Sequence, residues 1–325
     1  MNNIRFGVLG GTGFLGGHVT ERLQTMGLPT FSASRRTNVD ARKFADVVGW
    51  IMENDLTHVI NLAAECGGIG LNQRAPADLW LASMQINATV LDAARYCNLQ
   101  KLTLIGTACS YAALAPTPFK EDDLMYFGFP EYTNSAYGVA KLATYFGARA
   151  YRDQYGLNSI YLVPVNLYGP YDHFNPDTSH VIAALIERFV QAEADNTPVV
   201  VVWGTGKATR EFLYAADAAD GIIHATMEYN DKELVNLGSG SEVSIRDLTT
   251  LIADLTGYKG EIVWDSSKPD GQMRRCLDTT RATERLGWTA QTDLRTGLAA
   301  TIDWYKNNKR GQNVRRSDLH YAGTV

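Results

Sequence analysis

Ile4-Arg-Phe-Gly-Val-Leu9, followed at once by Gly10-Gly-Thr-Gly-Phe-Leu-Gly16, is the stretch of sequence that decides the fold. The first run is apolar and predicts a buried β-strand, and the glycines mark a tight turn into a helix. Glycine suits this turn because the backbone must approach a pyrophosphate while the helix N-terminus faces the anion. The junction predicts a Rossmann domain whose cofactor-binding turn consists of Gly10, Thr12, Gly13, Phe14, Leu15 and Gly16.

Strand and helix patterns alternate from this junction through the first half of the chain. Alternation of this kind predicts a doubly wound parallel sheet that helices cover on both faces. The helical patterns lie near residues 14–26, 78–97 and 136–155. The further strands are predicted at Thr30–Ala33, His58–Leu62, Lys101–Gly106 and Ser159–Pro164.

After Pro164 the alternation of strand and helix patterns becomes less regular. The chain of 325 residues is also longer than one compact hydrophobic core usually accommodates. We therefore expect a smaller, interleaved α/β substrate-binding domain. It is predicted to span 166–211 and 237–325, with the Rossmann domain at 1–165 completed by roughly 212–236. Within the second domain we predict a loop at Asn166–Asp177, an amphipathic helix at His180–Ala192, a strand at Val199–Trp203 and a helix at Leu294–Asn307, with Trp304 and Tyr305 facing inward.

Composition narrows the classes of function. The formal net charge is -5, which argues against a nucleic-acid partner. No stretch approaches the roughly 20 apolar residues that a membrane span requires. The N-terminus shows no secretory leader pattern, so we expect a cytoplasmic protein. Neither a disulfide framework nor a metal site is predicted, because no CxxC pair occurs among Cys66, Cys97, Cys109 and Cys276.

The choice between NAD and NADP depends on the end of the second predicted strand. An NAD site usually carries an acidic residue there for the ribose 2'-hydroxyl. This chain has Ser34-Arg35-Arg36 instead, and two arginines suit a 2'-phosphate. NADP(H) is therefore the predicted cofactor, and the alternative is a solvated basic loop.

A phenol and an ammonium at helical spacing indicate carbonyl reduction. Tyr137 and Lys141 are four residues apart, so a helix presents them on one face. A protonated tyrosine is an acid, and the lysine stabilises the tyrosinate that proton transfer leaves. A tyrosine and a lysine four residues apart also occur by chance. This pair, however, lies at the start of a predicted helix that follows the fourth predicted strand. That strand ends at Gly106-Thr107, and Thr107 is placed to donate to a substrate oxygen.

Cys109 and His180 each have two interpretations. Cys109 is either a catalytic thiol or a small buried hydrophobe. His180 follows Thr178 and Ser179, which resemble helix-capping residues, so it is predicted in the first helical turn as a surface residue or an acid/base. The positive helix end lowers the pKa of a histidine there, and a nearby thiolate offsets that effect.

With these motifs in place, the sequence resembles the GDP-L-fucose synthases, a family of GDP-4-keto-6-deoxymannose 3,5-epimerase-4-reductases among the extended short-chain dehydrogenases. The resemblance covers nearly the whole chain. Tyr137 and Lys141 are shared widely, whereas the contexts of Cys109 and His180 are more specific. It is carried by Ala63-Ala-Glu-Cys-Gly-Gly-Ile69, Thr107-Ala-Cys-Ser-Tyr111, Asn166-Leu-Tyr-Gly-Pro170, Ser179-His-Val-Ile182, Trp203-Gly-Thr-Gly206, Arg210-Glu-Phe212 and Ser267-Lys-Pro-Asp-Gly271.

The resemblance implies a role for each matching position. Cys109 and His180 become the epimerisation pair, and Thr107, Tyr137 and Lys141 become the reductase group. A homodimer and a GDP-linked sugar substrate are also implied. Contacts to the nucleotide sugar are implied for Asn166, Arg188, Trp203, Arg210, Lys268 and Asp270. Contacts to the cofactor, besides the glycine turn and Arg35 and Arg36, are implied for Leu62, Ala63, Ala64, Lys141, Pro164, Asn166, Leu167 and His180.

One ketone explains why both chemistries fit a single site. A carbonyl at C4 acidifies the hydrogens on C3 and C5, so one acid/base pair serves both epimerisations before hydride reaches C4. The alternatives are an epimerase or reductase of another nucleotide-linked 4-keto sugar, such as a GDP-heptose, and an NAD-dependent nucleotide-sugar 4-epimerase. A noncatalytic protein that senses NADP(H) is a further alternative, which the Tyr137/Lys141 pair disfavours.

Overall fold

The computed structural model describes residues 4–175, 179–268 and 270–310. Its largest sheet has six parallel strands in the order β2-β1-β3-β4-β5-β9. The strands are almost entirely buried in the centre, as expected for a parallel sheet covered on both faces. They are β1 (Phe6–Leu9), β2 (Thr30–Ala33), β3 (His58–Asn61), β4 (Lys101–Ile105), β5 (Ser159–Pro164) and β9 (Val235–Leu237).

Helices pack on this sheet in two groups. One group pairs α1 (Phe14–Thr25) with α7 (Ala215–Glu228), and the other packs α2 (Phe44–Glu53), α4 (Pro76–Tyr96) and α5 (Ser135–Tyr155) together. The short helix α3 (Ile69–Arg74) precedes α4. This arrangement confirms the Rossmann doubly wound parallel sheet expected from the sequence. The carboxyl ends of β1 and β4 meet at one edge, which is where such sheets bind ligands.

The second region contains two small sheets. In one, β8 pairs with β10, β12 and β6, and in the other β7 pairs in parallel with β11. The strands are β6 (Asn166–Tyr168), β7 (Val199–Trp203), β8 (Thr209–Tyr214), β10 (Glu242–Ser244), β11 (Glu261–Asp265) and β12 (Arg274–Arg275). Three helices cover them, α6 (Val181–Ala194), α8 (Ile245–Thr256) and α9 (Leu294–Arg310).

Two hydrophobic cores accompany these two regions. The first surrounds the six-stranded sheet, and the second lies among α6, α8 and α9 around Phe189, Ile252 and Leu298. Tyr305 is buried in the second core and Trp304 packs against it, as predicted. Leu277 and Leu286 belong to the first core although the predicted boundary assigns them to the second domain. The domain boundaries remain a prediction.

The segment after β5 differs from its predicted form. Its start, Asn166–Tyr168, is strand β6, because β8 offers a parallel edge and Asn166 Nδ2 donates to Glu211 O at 2.9 Å. Pro176 and Asp177, predicted in the same loop, lie outside the described residues.

The start of α6 also differs from its predicted form. The helix begins at Val181, so the prediction that His180 lies in its first turn is wrong. His180 is the N-cap residue and has extended backbone geometry. Ser179 was predicted to cap the helix, but its hydroxyl has no hydrogen-bond partner among the described residues. Thr178, the other predicted cap, lies outside them.

Two features are absent from the described residues. None of their helices combines the length and the apolar character that a membrane crossing needs. They also contain no cluster of three or more His, Cys, Asp or Glu side chains arranged to hold a metal ion.

Candidate active site

The glycine turn lies where β1 passes into α1. Gly10 has a φ of +85°, and a Cβ there would lie 2.7 Å from the backbone nitrogen of Ala63. A Cβ on Gly16 would overlap the carbonyl oxygen of Gly10. Only glycine therefore fits at these two positions, and the backbone at the N-terminus of α1 stays open to a ligand. A pyrophosphate fits such a cradle.

A cleft of about 350 Å³ opens beside this turn. It extends from the glycines, past the carboxyl ends of β3, β4 and β5, to the start of α6. Its glycine wall fits a nicotinamide dinucleotide, which would supply hydride chemistry to the cleft. The predicted site residues that line it are Gly10, Gly13, Phe14, Leu15, Gly16, Leu62, Ala64, Thr107, Cys109, Tyr137, Lys141, Pro164, Asn166, Leu167 and His180.

Other predicted cofactor residues flank the cleft without lining it. Ala63 N donates to Asn61 Oδ1 at 3.1 Å, which fixes the backbone beside Gly10. Thr12 Oγ1 donates to Ser34 Oγ at 2.9 Å and so ties the glycine turn to the end of β2. Arg35 and Arg36 follow Ser34 in a short helical turn, with their side chains exposed. This position suits the 2'-phosphate end of a dinucleotide.

Tyr137 and Lys141 occupy the first turns of α5. Lys141 Nζ donates to Ile105 O at 2.9 Å and lies 5.8 Å from the centre of the Tyr137 ring. Burial lowers the pKa of Lys141 to about 8. Burial also raises the pKa of Tyr137 well above its ordinary value, with smaller contributions from the Cys66 and Cys109 thiols. The phenol is therefore protonated at neutral pH and the ammonium is close to its titration range.

A tight backbone contact places Cys109 against the start of α5. Thr107 begins a short helical turn, Ala108–Ser110, and its hydroxyl accepts a hydrogen bond from Cys109 N at 3.2 Å. A Cβ on Gly138 would overlap the carbonyl oxygen of Cys109, so the glycine beside Tyr137 permits this approach. Ser110 Oγ donates to Gly138 O at 3.0 Å. The thiol segment and the phenol helix therefore form one rigid junction.

The side chain that contacts the Cys109 sulfur belongs to Arg275, which was not among the site residues predicted from the sequence. Arg275 Nη1 donates to Cys109 Sγ at 3.3 Å, and Arg275 lines the same cleft. The two residues are 166 positions apart, so no local pattern connects them. The sequence feature that could have pointed to Arg275 as a site residue was its position, four residues after the Lys268–Gly271 run.

His180 lines the cleft and is the N-cap residue of α6. Its side chain is exposed, yet desolvation within the cleft lowers its pKa, and the neighbouring His173 lowers it further. The imidazole is therefore mainly neutral at neutral pH. A lowered pKa makes it a weak base, and it donates a proton only after it has been charged.

Cys66 is a second free thiol in the cleft, and the sequence predicts no catalytic role for it. Desolvation raises the pKa of the Cys66 thiol, while the charge of Lys141 acts in the opposite direction. A raised pKa keeps this sulfur protonated, so it is suited to packing rather than to base catalysis. Its place in the Ala63–Ile69 run was the signal available in the sequence.

Of the predicted nucleotide-sugar residues, Asn166 lines the cleft, and the other five do not line it. Arg210 donates to Thr209 O at 2.7 Å and to Asp270 O at 3.4 Å. Burial, followed by the charge of Arg275, lowers the pKa of Arg210 to about 10. Asp270 accepts from the backbone and hydroxyl of Thr205, both at 2.7 Å, and therefore anchors a loop.

Three further members of that group lie near the surface. Lys268 Nζ lies 5.5 Å from the centre of the Trp203 ring, and that ring is 64% exposed. Arg188 donates to Val201 O at 2.6 Å, which holds it along β7. An exposed indole beside an ammonium suits a base and a phosphate. Pro269, in the quoted Lys-Pro-Asp-Gly run, lies outside the described residues.

The assembled groups can move protons on both sides of a substrate carbonyl. Tyr137 and Thr107 lie where they can donate to a carbonyl oxygen, and Lys141 supports the phenol. Cys109 and His180 line the same cleft and can exchange protons with carbon atoms next to that carbonyl. The glycine turn provides the place for a dinucleotide, which supplies or accepts hydride when bound.

Comparison with known proteins gives a family match. Residues 7–238 match the family described as "NAD dependent epimerase/dehydratase family". The chain is 41% identical to "Probable GDP-L-fucose synthase 1" from Oryza sativa subsp. japonica, over 93% of this chain and 92% of that protein. It is 36% identical to "GDP-L-fucose synthase" from Escherichia coli (strain K12), over 95% of this chain and 98% of that protein.

A solved structure with a similar fold extends the comparison. It is the crystal structure of a GDP-6-OMe-4-keto-L-xylo-heptose reductase from C. jejuni, with a TM-score of 0.88 and 27% sequence identity. The similarity covers 95% of this chain and 99% of that one. Both comparisons therefore extend over the cleft and over the region beyond it.

Proposed function

The chain belongs to the NAD-dependent epimerase/dehydratase family, and from this premise we propose that it is an NADPH-dependent 3,5-epimerase and 4-reductase of a GDP-linked 4-keto-6-deoxy sugar. The product is GDP-L-fucose or a close relative. One observation carries the proposal: Thr107, Cys109, Tyr137, Lys141 and His180 line a single cleft beside a dinucleotide turn. The two curated relatives, named as GDP-L-fucose synthases over nearly the full chain, support it.

Epimerisation begins with Cys109 in this proposal. Its thiolate removes a proton from C3 or C5, and His180 returns a proton from the opposite face. The electron pair of the broken C–H bond moves to O4, where Thr107 and Tyr137 stabilise the enolate by donating hydrogen bonds. Because the pKa of His180 is lowered, its acid form is scarce at neutral pH and must be regenerated after each proton transfer.

Reduction follows at C4 of the same sugar. A dinucleotide held at the glycine turn would supply the hydride. Tyr137 donates its proton to O4, and the raised pKa of its phenol ensures that the proton is present. Lys141 stabilises the resulting tyrosinate, because its ammonium lies beside the ring and is itself held by Ile105 O.

The decisive experiment is to incubate the protein with GDP-4-keto-6-deoxymannose and NADPH. We expect stoichiometric NADPH oxidation and a GDP-linked product whose C3 and C5 are inverted, as measured by NMR. In deuterated water, both carbons should carry deuterium. Product formation without any NADPH consumption would contradict the proposal and favour an epimerase with a retained cofactor.

A second candidate is a reductase of another GDP-linked 4-keto sugar, such as a heptose. The C. jejuni heptose reductase favours it, because that structure superimposes over nearly the whole chain. The two candidates are separated by offering both GDP sugars at equal concentration. A higher kcat/KM for the 4-keto heptose would replace the first candidate with the second.

We propose a cytoplasmic homodimer as the acting form. Free thiols at all four cysteines suit a reducing compartment. Exposed apolar side chains on two packed helices, Trp80 and Leu81 on α4 and Phe146 on α5, suit a contact with a second copy. Light scattering coupled to gel filtration should give twice the mass of the 35.8 kDa chain. A monomer at micromolar concentration would contradict this assembly.

A further inference from the structure

The cleft contains a cation in contact with the sulfur assigned to epimerisation. Arg275 ends strand β12, whose two residues have side chains with different partners. Arg274 forms an exposed ion pair with Glu242. Arg275 lies in the cleft, where Nη1 donates to Cys109 Sγ at 3.3 Å and Nε donates to Gln272 Oε1 at 3.2 Å.

Hydrogen bonds fix the backbone of Arg275 and of the residues after it, and its guanidinium is held by Cys109 and Gln272. Arg275 pairs with Arg210 across the parallel register of β12 and β8. After it, Cys276 O accepts from Phe119 N at 2.8 Å, and Leu277 N donates to the buried carboxylate of Glu211 at 2.7 Å. Phe119 and Leu277 belong to the first hydrophobic core, so these bonds join the strand to it.

Two cations lie near the Cys109 sulfur. Arg275 is in contact with it, and the Arg210 charge is close enough to interact electrostatically with Cys109. Tyr137 and Cys66 also interact electrostatically with Cys109, and burial raises the pKa of both, so both stay neutral at neutral pH. A cation at hydrogen-bond distance stabilises a thiolate, and a charge-assisted bond also fixes its direction.

We propose that Arg275 is a positioning residue for Cys109: its guanidinium orients the sulfur and stabilises the thiolate that removes the substrate proton. This rests on the proposed function, in which Cys109 is the base. In that step the C–H bond of the sugar breaks, an S–H bond forms, and the electron pair goes to O4. Arg275 touches the sulfur and takes no proton itself. Arginine remains charged throughout the working pH range.

The test measures alkylation of Cys109 by iodoacetamide at neutral pH, without any sugar. Mass spectrometry of the Cys109 peptide gives the rate constant, and Cys66 in the same sample is the internal reference. Arg275→Gln should slow alkylation of Cys109 about tenfold, because the thiolate loses its charged partner. Arg275→Lys should restore much of the rate, since it returns a cation. The matched control Arg274→Gln should leave the rate unchanged.

Two results would overturn the proposal. One is an unchanged Cys109 rate in Arg275→Gln, and the other is an equal loss in Arg275→Gln and Arg275→Lys, which would indicate a structural role. Alkylation of Cys66 reports whether each variant keeps the cleft folded, and Arg275→Met repeats the test if glutamine disturbs it. Failure of the proposed function is a separate result, since it appears as an absence of sugar epimerisation in the unmodified protein with alkylation unaffected.

Discussion

Arg35 Nη1 lies 3.1 Å from Glu65 Oε1, so the arginine expected to meet the 2'-phosphate of NADP is already paired with a carboxylate. Arg42 Nη1 approaches the same Glu65 oxygen at 3.9 Å. The Glu65 side chain is mostly buried, whereas that of Arg35 is 62% exposed. Glu65 therefore holds the arginine near the cofactor turn and also competes with the phosphate for it.

Removing this carboxylate should strengthen NADPH binding. We expect Glu65→Gln to tighten NADPH severalfold, because a half-exposed ion pair contributes only about 0.2–1 kcal/mol and the freed Arg35 gains a phosphate. NADH binding should stay nearly constant, since it lacks that phosphate. Calorimetric titration with both cofactors measures the difference. Glu53→Gln, at the end of α2, is the matched control.

Substitution of Arg35 and Arg36 tests the same assignment by removing the phosphate contacts. Arg35→Ala combined with Arg36→Asp should erode the preference for NADPH over NADH. In that background Glu65→Gln should have no further effect on NADPH. If the unmodified protein uses both cofactors equally well, the assignment of these arginines to the 2'-phosphate is wrong.

Cys109→Ala should separate the two halves of the reaction. The ketone at C4 exists before epimerisation, and hydride transfer depends on Tyr137 and Lys141 rather than on the thiol. The variant should therefore oxidise NADPH slowly and give a sugar that keeps its C3 and C5 configuration. Proton exchange at those carbons should fall on the order of a hundred- to ten-thousandfold, as general-base catalysis typically contributes that much.

Deuterium incorporation is the readout for that separation. The unmodified enzyme should label C3 and C5 in deuterated water, and the Cys109→Ala variant should label neither. Cys66→Ala, which removes the other thiol of the cleft, should retain both labels. Labelling at the original rate in Cys109→Ala would make Cys109 a packing residue.

Reduction should lose rate as the pH rises through about 8. Burial lowers the pKa of Lys141 from its ordinary value, so the ammonium is charged below that pH and neutral above it. A neutral lysine no longer stabilises the tyrosinate of Tyr137. Single-turnover NADPH oxidation by Cys109→Ala isolates this step. Lys141→Arg should abolish the decline, and a decline that persists in that variant would assign it to another group.

Lys268→Ala and Arg210→Ala should weaken GDP binding more than NADPH binding. A charge-assisted contact to a diphosphate contributes about 1.5–3 kcal/mol, so each variant should lose roughly ten- to hundredfold in affinity for GDP. Arg246→Ala is a control, because Arg246 lies over the Trp264 ring on the same lobe. Unchanged affinity for GDP in both variants would remove them from the substrate site.

Asn236→Ala should destabilise the fold by about 2–3 kcal/mol, because it leaves buried polar groups without partners. The Asn236 amide donates to Phe119 O at 3.0 Å and to Asp278 O at 3.2 Å. Its carbonyl accepts from Tyr111 Oη at 2.7 Å. Urea denaturation measures the loss. Tyr111→Phe removes a single bond and should cost about 1 kcal/mol, so equal losses would contradict this account.

The first half of the fold was predictable because its signals are local. The apolar run before Gly10 and the glycine turn act within a few residues, and β1, β2 and β5 follow the predicted ranges closely. Strand β8 was not predicted, because Arg210 and the completely buried Glu211 interrupt its apolar pattern. Glu211 is tolerated there only because backbone donors from Gly240 and Leu277 reach it.

The site residues also fall into two groups: those that local sequence predicts and those that only tertiary packing brings together. Tyr137 and Lys141 share one helix, so their spacing reveals the pair before the chain is folded. Arg275 and Cys109 meet only through the pairing of β12 with β8, and Glu65 reaches Arg35 across the edge of the sheet. Contacts of this kind depend on tertiary packing, which no window of sequence contains.

The contact between Arg275 and Cys109 has a further consequence, since its two partners belong to different sheets. Cys109 follows β4 of the six-stranded sheet, and Arg275 lies on β12 of the smaller one. If the two sheets move apart, the guanidinium leaves the sulfur. The rate of Cys109 alkylation therefore reports the separation of the two sheets. Slower alkylation would reveal an opened conformation before a change in overall size becomes measurable.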